Sequence, residues 1–355
     1  MRSSLPTPIA QDEFAHTLIR WQRRHGRHDL PWQGTRDAYR VWLSEIMLQQ
    51  TPVATVRAYF ERFLLRFPDV CTLAAAPLDD VLSLWSGLGY YSRARNLHRC
   101  AQQVVNALGG EFPQTAAQLQ TLPGIGASTA AAVASICFGE RVAILDGNVK
   151  RVLTRFLGFD ADLALAANER TLWQCATALL PMTDLSQTMP RYTQAVMDLG
   201  ATVCTAKKPL CSRCPLQPSC RAAALACPEN YPLKSRKLKR SAESIWLMWA
   251  CTQDGAVWLS QRPTPGVWAG LYCFDLFASR QDLAAALPDS LARQAQDLPV
   301  FKHVLTHKDL YLHPVQVVVP KRLVLTNAGQ WFDALQWPAL GLPAPVRKLL
   351  LVGGG

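Results

Sequence analysis

Charge is scarce in this 355-residue chain, and acid is scarcer than base: 26 acidic residues stand against 37 lysines and arginines. A charged fraction of 18% beside 49% hydrophobic residues excludes a disordered polyelectrolyte and describes a folded chain. No apolar run approaches a membrane span, so no membrane association is expected. The opening MRSSLPTPIAQDEF lacks the apolar core of a signal peptide. No internal repeat is evident, which sets aside solenoids and propellers. A disulfide framework is missing too, because the cysteines number eleven and seven of them are scattered singly through apolar segments. That pattern fits buried free thiols in a reducing compartment, so a cytoplasmic location is expected.

The shortage of acid leaves a formal charge of +11, which favours a polyanionic partner. From about Asp12 to Leu199 helical periodicity dominates. Asp37 is expected to cap a helix through Gln50, and Thr51-Pro52 to open the next, to about Arg66. Further helices are expected from Pro77 to near Gly87, Ser92 to Leu108, Gly147 to Leu157, Asn168 to Leu180 and Pro190 to Gly200. Between Arg221 and Ala242 the texture changes: Pro228 and Pro232 interrupt it, and Lys234, Arg236, Lys237, Lys239 and Arg240 form a basic run. Strand patterns follow at Ile245–Cys251, Val257–Gln261, Leu271–Phe274 and Tyr311–Val319, with helical pieces at Arg280–Leu287 and Ala344–Leu351. The expected division is a helical region over 1–227, a basic linker over 228–242 and an α+β domain over 243–352.

Three local signals carry chemistry. Leu122-Pro123-Gly124-Ile125-Gly126 is a Pro-Gly-x-Gly turn between two apolar-periodic runs, either a tight turn between packed helices or a helix–hairpin–helix. In the second case the amides near Gly124 and Gly126 suit a DNA phosphate at the start of the following helix. Cys204-x6-Cys211-x2-Cys214-x5-Cys220 places four thiols in one short loop, enough to enclose a metal centre. A single Cys-x-x-Cys with unequal flanking gaps favours an iron–sulfur cube, with zinc as the alternative. Two carboxylates complete the set. Glu45 lies in the apolar stretch Val41–Leu48, and is either solvent-facing or desolvated with a raised pKa. Asp146, before Gly147, either caps a helix or serves chemistry. As a pair they suit cleavage of a glycosidic bond, one protonated and one ionised.

Leu30-Pro31-Trp32, Trp42–Thr51, Gly87–Asn96, Leu122–Ala130, Ile144–Arg151, the cysteine spacing and Trp268–Tyr272 together resemble the adenine DNA glycosylase (MutY) family. That family lies within the helix–hairpin–helix glycosylases, with endonuclease III as a close relative. The resemblance spans nearly the whole chain in one order. It implies a mostly α N-terminal helix–hairpin–helix glycosylase domain with an iron–sulfur loop, then an α+β Nudix-like domain. It implies a monomeric repair enzyme that removes adenine opposite 8-oxoguanine or guanine in double-stranded DNA, with a [4Fe–4S] cluster on Cys204, Cys211, Cys214 and Cys220.

Residue by residue, Glu45 would protonate adenine N7, and Asp146 with Asn148 beside it would stabilise the sugar cation. Leu30, Trp32 and Gln194 would contact the adenine, and Gln50 and Tyr90 would wedge into the base stack. Gly124, Gly126 and Ser128 would form the DNA-facing hairpin. Endonuclease III-like enzymes carry a nucleophilic Lys where this chain has Ser128, so a monofunctional glycosylase is expected. The family's Phe-Ser-His lesion loop corresponds here to Leu305-Thr306-His307, which keeps the hydroxyl and the imidazole and loses the aromatic ring. No Glu-rich Nudix hydrolase helix is found, so Thr306 and His307 are expected to read 8-oxoguanine without nucleotide hydrolysis. An endonuclease III-like glycosylase/lyase and a non-catalytic iron–sulfur DNA-binding protein are the alternatives.

Overall fold

A computed structural model describes residues 8–235, 240–320, 322–325 and 329–352. Arg236, Lys237 and Lys239 of the expected linker lie outside the described residues. The chain forms two compact units, Met1–Ala74 with Arg99–Lys237, and Ala75–His98 with Leu238–Gly355.

The helices of the chain's first 230 residues follow in order. They are α1 (Pro8–His25), α2 (Ala38–Leu48), α3 (Val53–Arg66), α4 (Val70–Ala75), α5 (Leu78–Trp85), α6 (Ser92–Leu108), α7 (Ala116–Leu119) and α8 (Ala127–Phe138). There follow α9 (Gly147–Leu157), α10 (Ala166–Ala178), α11 (Leu185–Thr202) and α12 (Arg221–Ala224). Small side chains make α8 the buried centre of the first unit: Thr129 through Ser135 are all buried, and the helix packs on α2, α7 and α11. An Ala-rich helix apolar on every side has no face to offer water, so its neighbours must enclose it. α11 also packs on α1 and α9, and α9 on α12.

Several expected helix ends move, each for a local reason. Asp37 caps α2 by accepting from the Tyr39 and Arg40 amides, but the helix stops at Leu48, where Gln49 turns out of it at ψ 110 and Gln50 follows at φ +57. The cap of α3 is Pro52 rather than Thr51, with no side-chain hydrogen bond. α11 begins at Leu185, five residues before Pro190, which lies inside it. Pro190 has no N–H to give the Ser186 carbonyl four residues back, and Arg36 Nη2 donates to that oxygen instead at 2.7 Å. Part of the expected linker is also anchored rather than free. Leu163 N donates to Leu233 O at 3.0 Å, and Ser235 N to Asp162 Oδ1 at 3.1 Å.

The second unit is built on a sheet whose centre is a parallel pair, β1 (Ser241–Thr252) and a later strand, Lys308–Val319, in register from Ser241↔Lys308 to Thr252↔Val319. Between them run β2 (Val257–Gln261), β3 (Tyr272–Cys273), β4 (Asp275–Phe277), β5 (Gln296–Asp297) and β6 (Phe301–Val304), so the later strand is β7; β8 (Gly329–Phe332) follows. Parallel neighbours need a crossover, and helices Arg280–Ala285 and Asp289–Ala292 lie within it. β4 is antiparallel to β1, and β6 to β7. Residues Ala75–His98 pack with this unit: Tyr91 Oη donates to Leu342 O at 3.1 Å, and Arg347 Nε to Ser86 Oγ at 3.0 Å. The compact units are therefore not consecutive blocks of sequence.

Candidate active site and cysteine loop

A cavity of about 1170 Å³ opens in the first unit, and its lining includes Leu30, Trp32, Glu45, Gln50, Ser128, Asp146, Asn148 and Gln194. These positions come from α2 and the segments on either side of it, α8, α9 with its cap, and α11, so one pocket gathers eight of the residues singled out in sequence. Leu30 and Trp32 are buried, with Trp32 edge-on to Phe60 at a centroid distance of 5.4 Å. Gln50 stands at the rim, exposed.

Glu45 and Asp146 differ in what surrounds them. Burial raises Glu45 to about 7, and the charge of Asp146 adds to the rise. Among the described residues no donor reaches its carboxyl to oppose this. Burial also raises Asp146, but the Val149 and Asn148 amides and the Arg151 charge pull against it. Asp146 Oδ1 accepts from Val149 N at 2.7 Å as the cap of α9, so the capping residue and the pocket residue are the same. Glu45 is half-buried and lines the cavity, which decides between its two expected environments in favour of the desolvated one.

Asn148 is held by Arg151, whose Nη2 donates to Asn148 Oδ1 at 2.8 Å and to Gly200 O at 2.6 Å. Gly200 is required here, because a Cβ at that position would come within 2.7 Å of the Asn148 Cβ. The absence of a side chain lets α11 approach α9 at the pocket wall. Ser128 Oγ accepts from Leu145 N at 3.2 Å, fixing the backbone beside Asp146. Gly124 and Gly126 are exposed on the hairpin turn and are not among the pocket's lining residues. Only Gly124 uses positive φ (+76); Gly126 caps α8 in an extended conformation, which any residue adopts.

Sequence reasoning passed over Gln33, which lines the cavity, and Asp198 behind it. Both amide atoms of Gln33 are buried without a hydrogen-bond partner. Asp198, fully buried behind the pocket wall, binds Arg27 and Gln194. Asp198 carried no visible signal, since a single Asp in an apolar helix reads equally well as solvent-facing.

Tyr90, Thr306 and His307 lie in the second unit. Tyr90 hydrogen-bonds Thr306 through their hydroxyls, and His307 is exposed beside it. Arg240 Nη1 donates to Thr306 O at 2.9 Å, and Ser241 N to His307 O at 3.1 Å. Among the described residues six non-glycine positions take positive φ, and the two expected wedges, Gln50 and Tyr90, are among them. Such backbone is costly for an L side chain and persists where the surroundings impose it.

The four cysteines of the loop line one small cavity with Arg155, Pro209, Leu210 and Pro228. Arg155 is buried and ties the loop down: Nη1 donates to Thr205 O at 2.7 Å and to Cys204 Sγ at 3.4 Å, and Nη2 to Ala206 O at 3.1 Å. It lies one turn beyond Arg151, whose Nε donates to Cys204 O at 2.7 Å. This i, i+4 arginine pair was the sequence signal for a loop anchor, and it was missed. Burial pushes the Cys214 thiol up to about 12, with Cys204, Cys220 and Cys211 adding to the rise. Four sulfurs that feel one another in a half-buried cavity suit a group that supplies positive iron to all of them. Among the described residues no group of three or more His, Cys, Asp or Glu side chains is arranged to hold a single metal ion.

Residues 43–175 match the family model of the HhH-GPD superfamily base excision DNA repair proteins, 204–220 that of the iron–sulfur binding domain of endonuclease III, and 246–351 the NUDIX domain. Fold and site thus define a helix–hairpin–helix DNA repair enzyme with a [4Fe–4S] cofactor and a C-terminal Nudix domain. The chain is 34% identical to an adenine DNA glycosylase of Buchnera aphidicola subsp. Baizongia pistaciae, over 95% of each chain. It is 45% identical to that of Rattus norvegicus, over 96% of this chain and 77% of the rat protein. It belongs to the adenine DNA glycosylase family. A thermostable thymine-DNA glycosylase of known structure superposes with a TM-score of 0.53 at 26% identity, covering 61% of this chain and 97% of that one. No helix among the described residues is long and apolar enough to cross a membrane.

Proposed function

We propose that the chain, acting as a monomer, removes adenine mispaired with 8-oxoguanine or guanine in double-stranded DNA by hydrolysing the N-glycosidic bond. The observation that carries this reading is the unequal pair of acids in one cavity: Glu45, raised to about 7, and Asp146, held by donors. Adenine is a poor anionic leaving group, and the sugar it leaves is cationic. One acid must therefore give a proton while the other stays charged. The flipped adenine enters the cavity against Leu30, Trp32 and Gln194. Glu45 gives its proton to N7, so the base departs neutral as the glycosidic bond breaks. Asp146, with Asn148 beside it, shelters the positive charge on the sugar. Water then bonds to the anomeric carbon, and its proton returns to Glu45.

Gln50 and Tyr90 fill the place the adenine vacates, and Thr306 and His307 read the opposite base. The hairpin amides of Gly124 and Gly126, with Ser128, hold the backbone. Cys204, Cys211, Cys214 and Cys220 hold the cluster, which supplies rigidity to a loop carrying the exposed Lys207, Lys208 and Arg213. In functional terms 1–227 is the catalytic region, 228–242 the basic linker and 243–352 the lesion reader. The cytoplasm, and the nucleoid in a bacterium, is its place of work. Single-turnover incubation with duplexes carrying adenine opposite 8-oxoguanine, guanine or thymine tests the reading. Adenine release from the first two alone is expected; equal release from all three would overturn it.

A further inference from the structure

Asp198 is fully buried on α11, one helical turn from Gln194, and it touches no solvent. Its Oδ1 takes three donors: Arg27 Nε at 2.8 Å, Arg27 Nη2 at 2.7 Å and Gln194 Nε2 at 3.0 Å. Its Oδ2 takes the Arg27 backbone N at 3.1 Å. A carboxylate paired with a guanidinium offers acceptors only, so the NH2 end of the Gln194 amide must face it. The opposite sense would set carbonyl oxygen against carboxylate oxygen in a buried place. The carbonyl end of Gln194 is therefore the end left for the cavity that this side chain lines.

We infer that Asp198 is a positioning residue that locks the sense of the Gln194 amide and so selects a 6-amino purine over a 6-oxo purine. This rests on the reading of Gln194 as a contact of the extruded base. A fixed carbonyl accepts from an exocyclic amino group and meets the oxygen of hypoxanthine as acceptor against acceptor. Gln33 makes the contrast. Its amide also lines the cavity, but neither end has a partner, so it can turn to suit a donor or an acceptor and imposes no choice. A site that pairs a substrate N–H rejects the analogue lacking it far more strongly than an apolar wall does, because the mismatch leaves buried polar groups unpaired.

The test compares single-turnover release of adenine and of hypoxanthine from the same duplex, with deoxyadenosine or deoxyinosine at one position opposite 8-oxoguanine. The readout is the ratio of the two rates relative to the unsubstituted protein, which cancels the different intrinsic lability of the two bonds. Gln194→Met leaves the Asp198–Arg27 pair intact and is expected to lower the adenine preference by about tenfold or more. Asp198→Ala frees the amide to turn and is expected to lower it similarly, while Asp198→Asn, which can keep an oxygen where three donors converge, is expected to keep it. A general loss of packing would slow both substrates together and leave the ratio unchanged. An unchanged ratio in Gln194→Met overturns the inference, even if Asp198→Ala does not fold. Failure of the unsubstituted protein to release adenine overturns the underlying reading instead.

Discussion

The Arg151 guanidinium joins the cavity-lining first turn of α9 to the cysteine loop: Nη2 donates to Asn148 Oδ1 at 2.8 Å and Nε to Cys204 O at 2.7 Å. Burial pulls this guanidinium below its ordinary value, and the charges of Cys204 and Asp146 favour the charged form. A side chain that donates in both directions makes Asn148 and the loop parts of one arrangement. Arg151→Met leaves both acceptors unmet. With roughly 1.5–3 kcal/mol for each hydrogen bond to a charged group, single-turnover adenine release should fall about 10- to 100-fold. Iron content should fall with it, and Arg151→Lys should recover only part of either. Full activity in Arg151→Met would remove the coupling.

In the proposed mechanism Glu45 sets a limit on the alkaline side and Asp146 one on the acid side. The acid acts only while protonated, and its value is raised to about 7 by burial and by Asp146. Adenine release should therefore be full below that value and decline tenfold per pH unit well above it. The acid side is set by Asp146, which must stay ionised. Because burial raises it, activity should begin to fail at a pH above the ordinary Asp value of 3.8. A pH profile under single-turnover conditions reads both limbs. A flat profile between pH 6 and 9 would show that no proton from Glu45 is involved.

The same residue should cost the fold stability at neutral pH. A carboxyl raised from 4.5 to about 7 on folding favours the protonated form in the native state. Its contribution is complete below 4.5 and is lost as pH rises through about 7. Glu45→Gln removes this titration. The substituted protein should be about as stable as the original near pH 4.5, and more stable by roughly 3 kcal/mol at pH 8. Urea unfolding at the two pH values measures the difference. A gap that does not widen with pH would mean that Glu45 is not desolvated.

How far the sequence is legible differs from residue to residue, and the reasons are physical. Asp146 was ambiguous between cap and catalyst because one carboxylate both caps α9, with Oδ1 on Val149 N, and stands on the cavity wall. Periodicity located α2 but could not say whether Glu45 faced water. That was decided by α8 packing on α2, a contact between segments some eighty residues apart. Pro190 was read as a helix start by the first-turn rule, and the rule failed because Arg36, far away in sequence, satisfies the carbonyl that proline strands. Strands β5, β6 and β8, of two to four residues, were missed because they are too short to show alternation. Asp198 was invisible because a buried charge shows only when its partner is known, whereas Arg155 stood one turn from Arg151 as a signal that was passed over.

Ser128 bears on what happens after the base has left. It lines the cavity, and its hydroxyl accepts from Leu145 N at 3.2 Å, so it is occupied in holding backbone. A hydroxyl offers no amine to condense with the sugar aldehyde, and Schiff-base chemistry needs one. Borohydride added during turnover on adenine-containing duplex should therefore trap little protein, and strands should stay intact until alkali is added. Trapping in step with base release would place a lysine nucleophile in this cavity and refute the monofunctional reading.

The exposed cations of the cysteine loop should appear in the salt dependence of DNA binding. Lys207 and Arg213 are exposed and lie between cysteines that line the loop's cavity, so their position depends on that loop being held. Each phosphate neutralised releases condensed counterions, and log Kd then rises with log salt by roughly 0.9 per contact. Replacing both residues by alanine should lower that slope by about 2 while changing the affinities for mispaired and matched duplex by similar factors. Base release measured at saturating protein should be unaffected, since neither residue lines the active-site cavity. An unchanged slope would mean that the loop faces away from the duplex. The cluster would then serve the fold of the first unit through Arg155 and Arg151 rather than through contact with DNA.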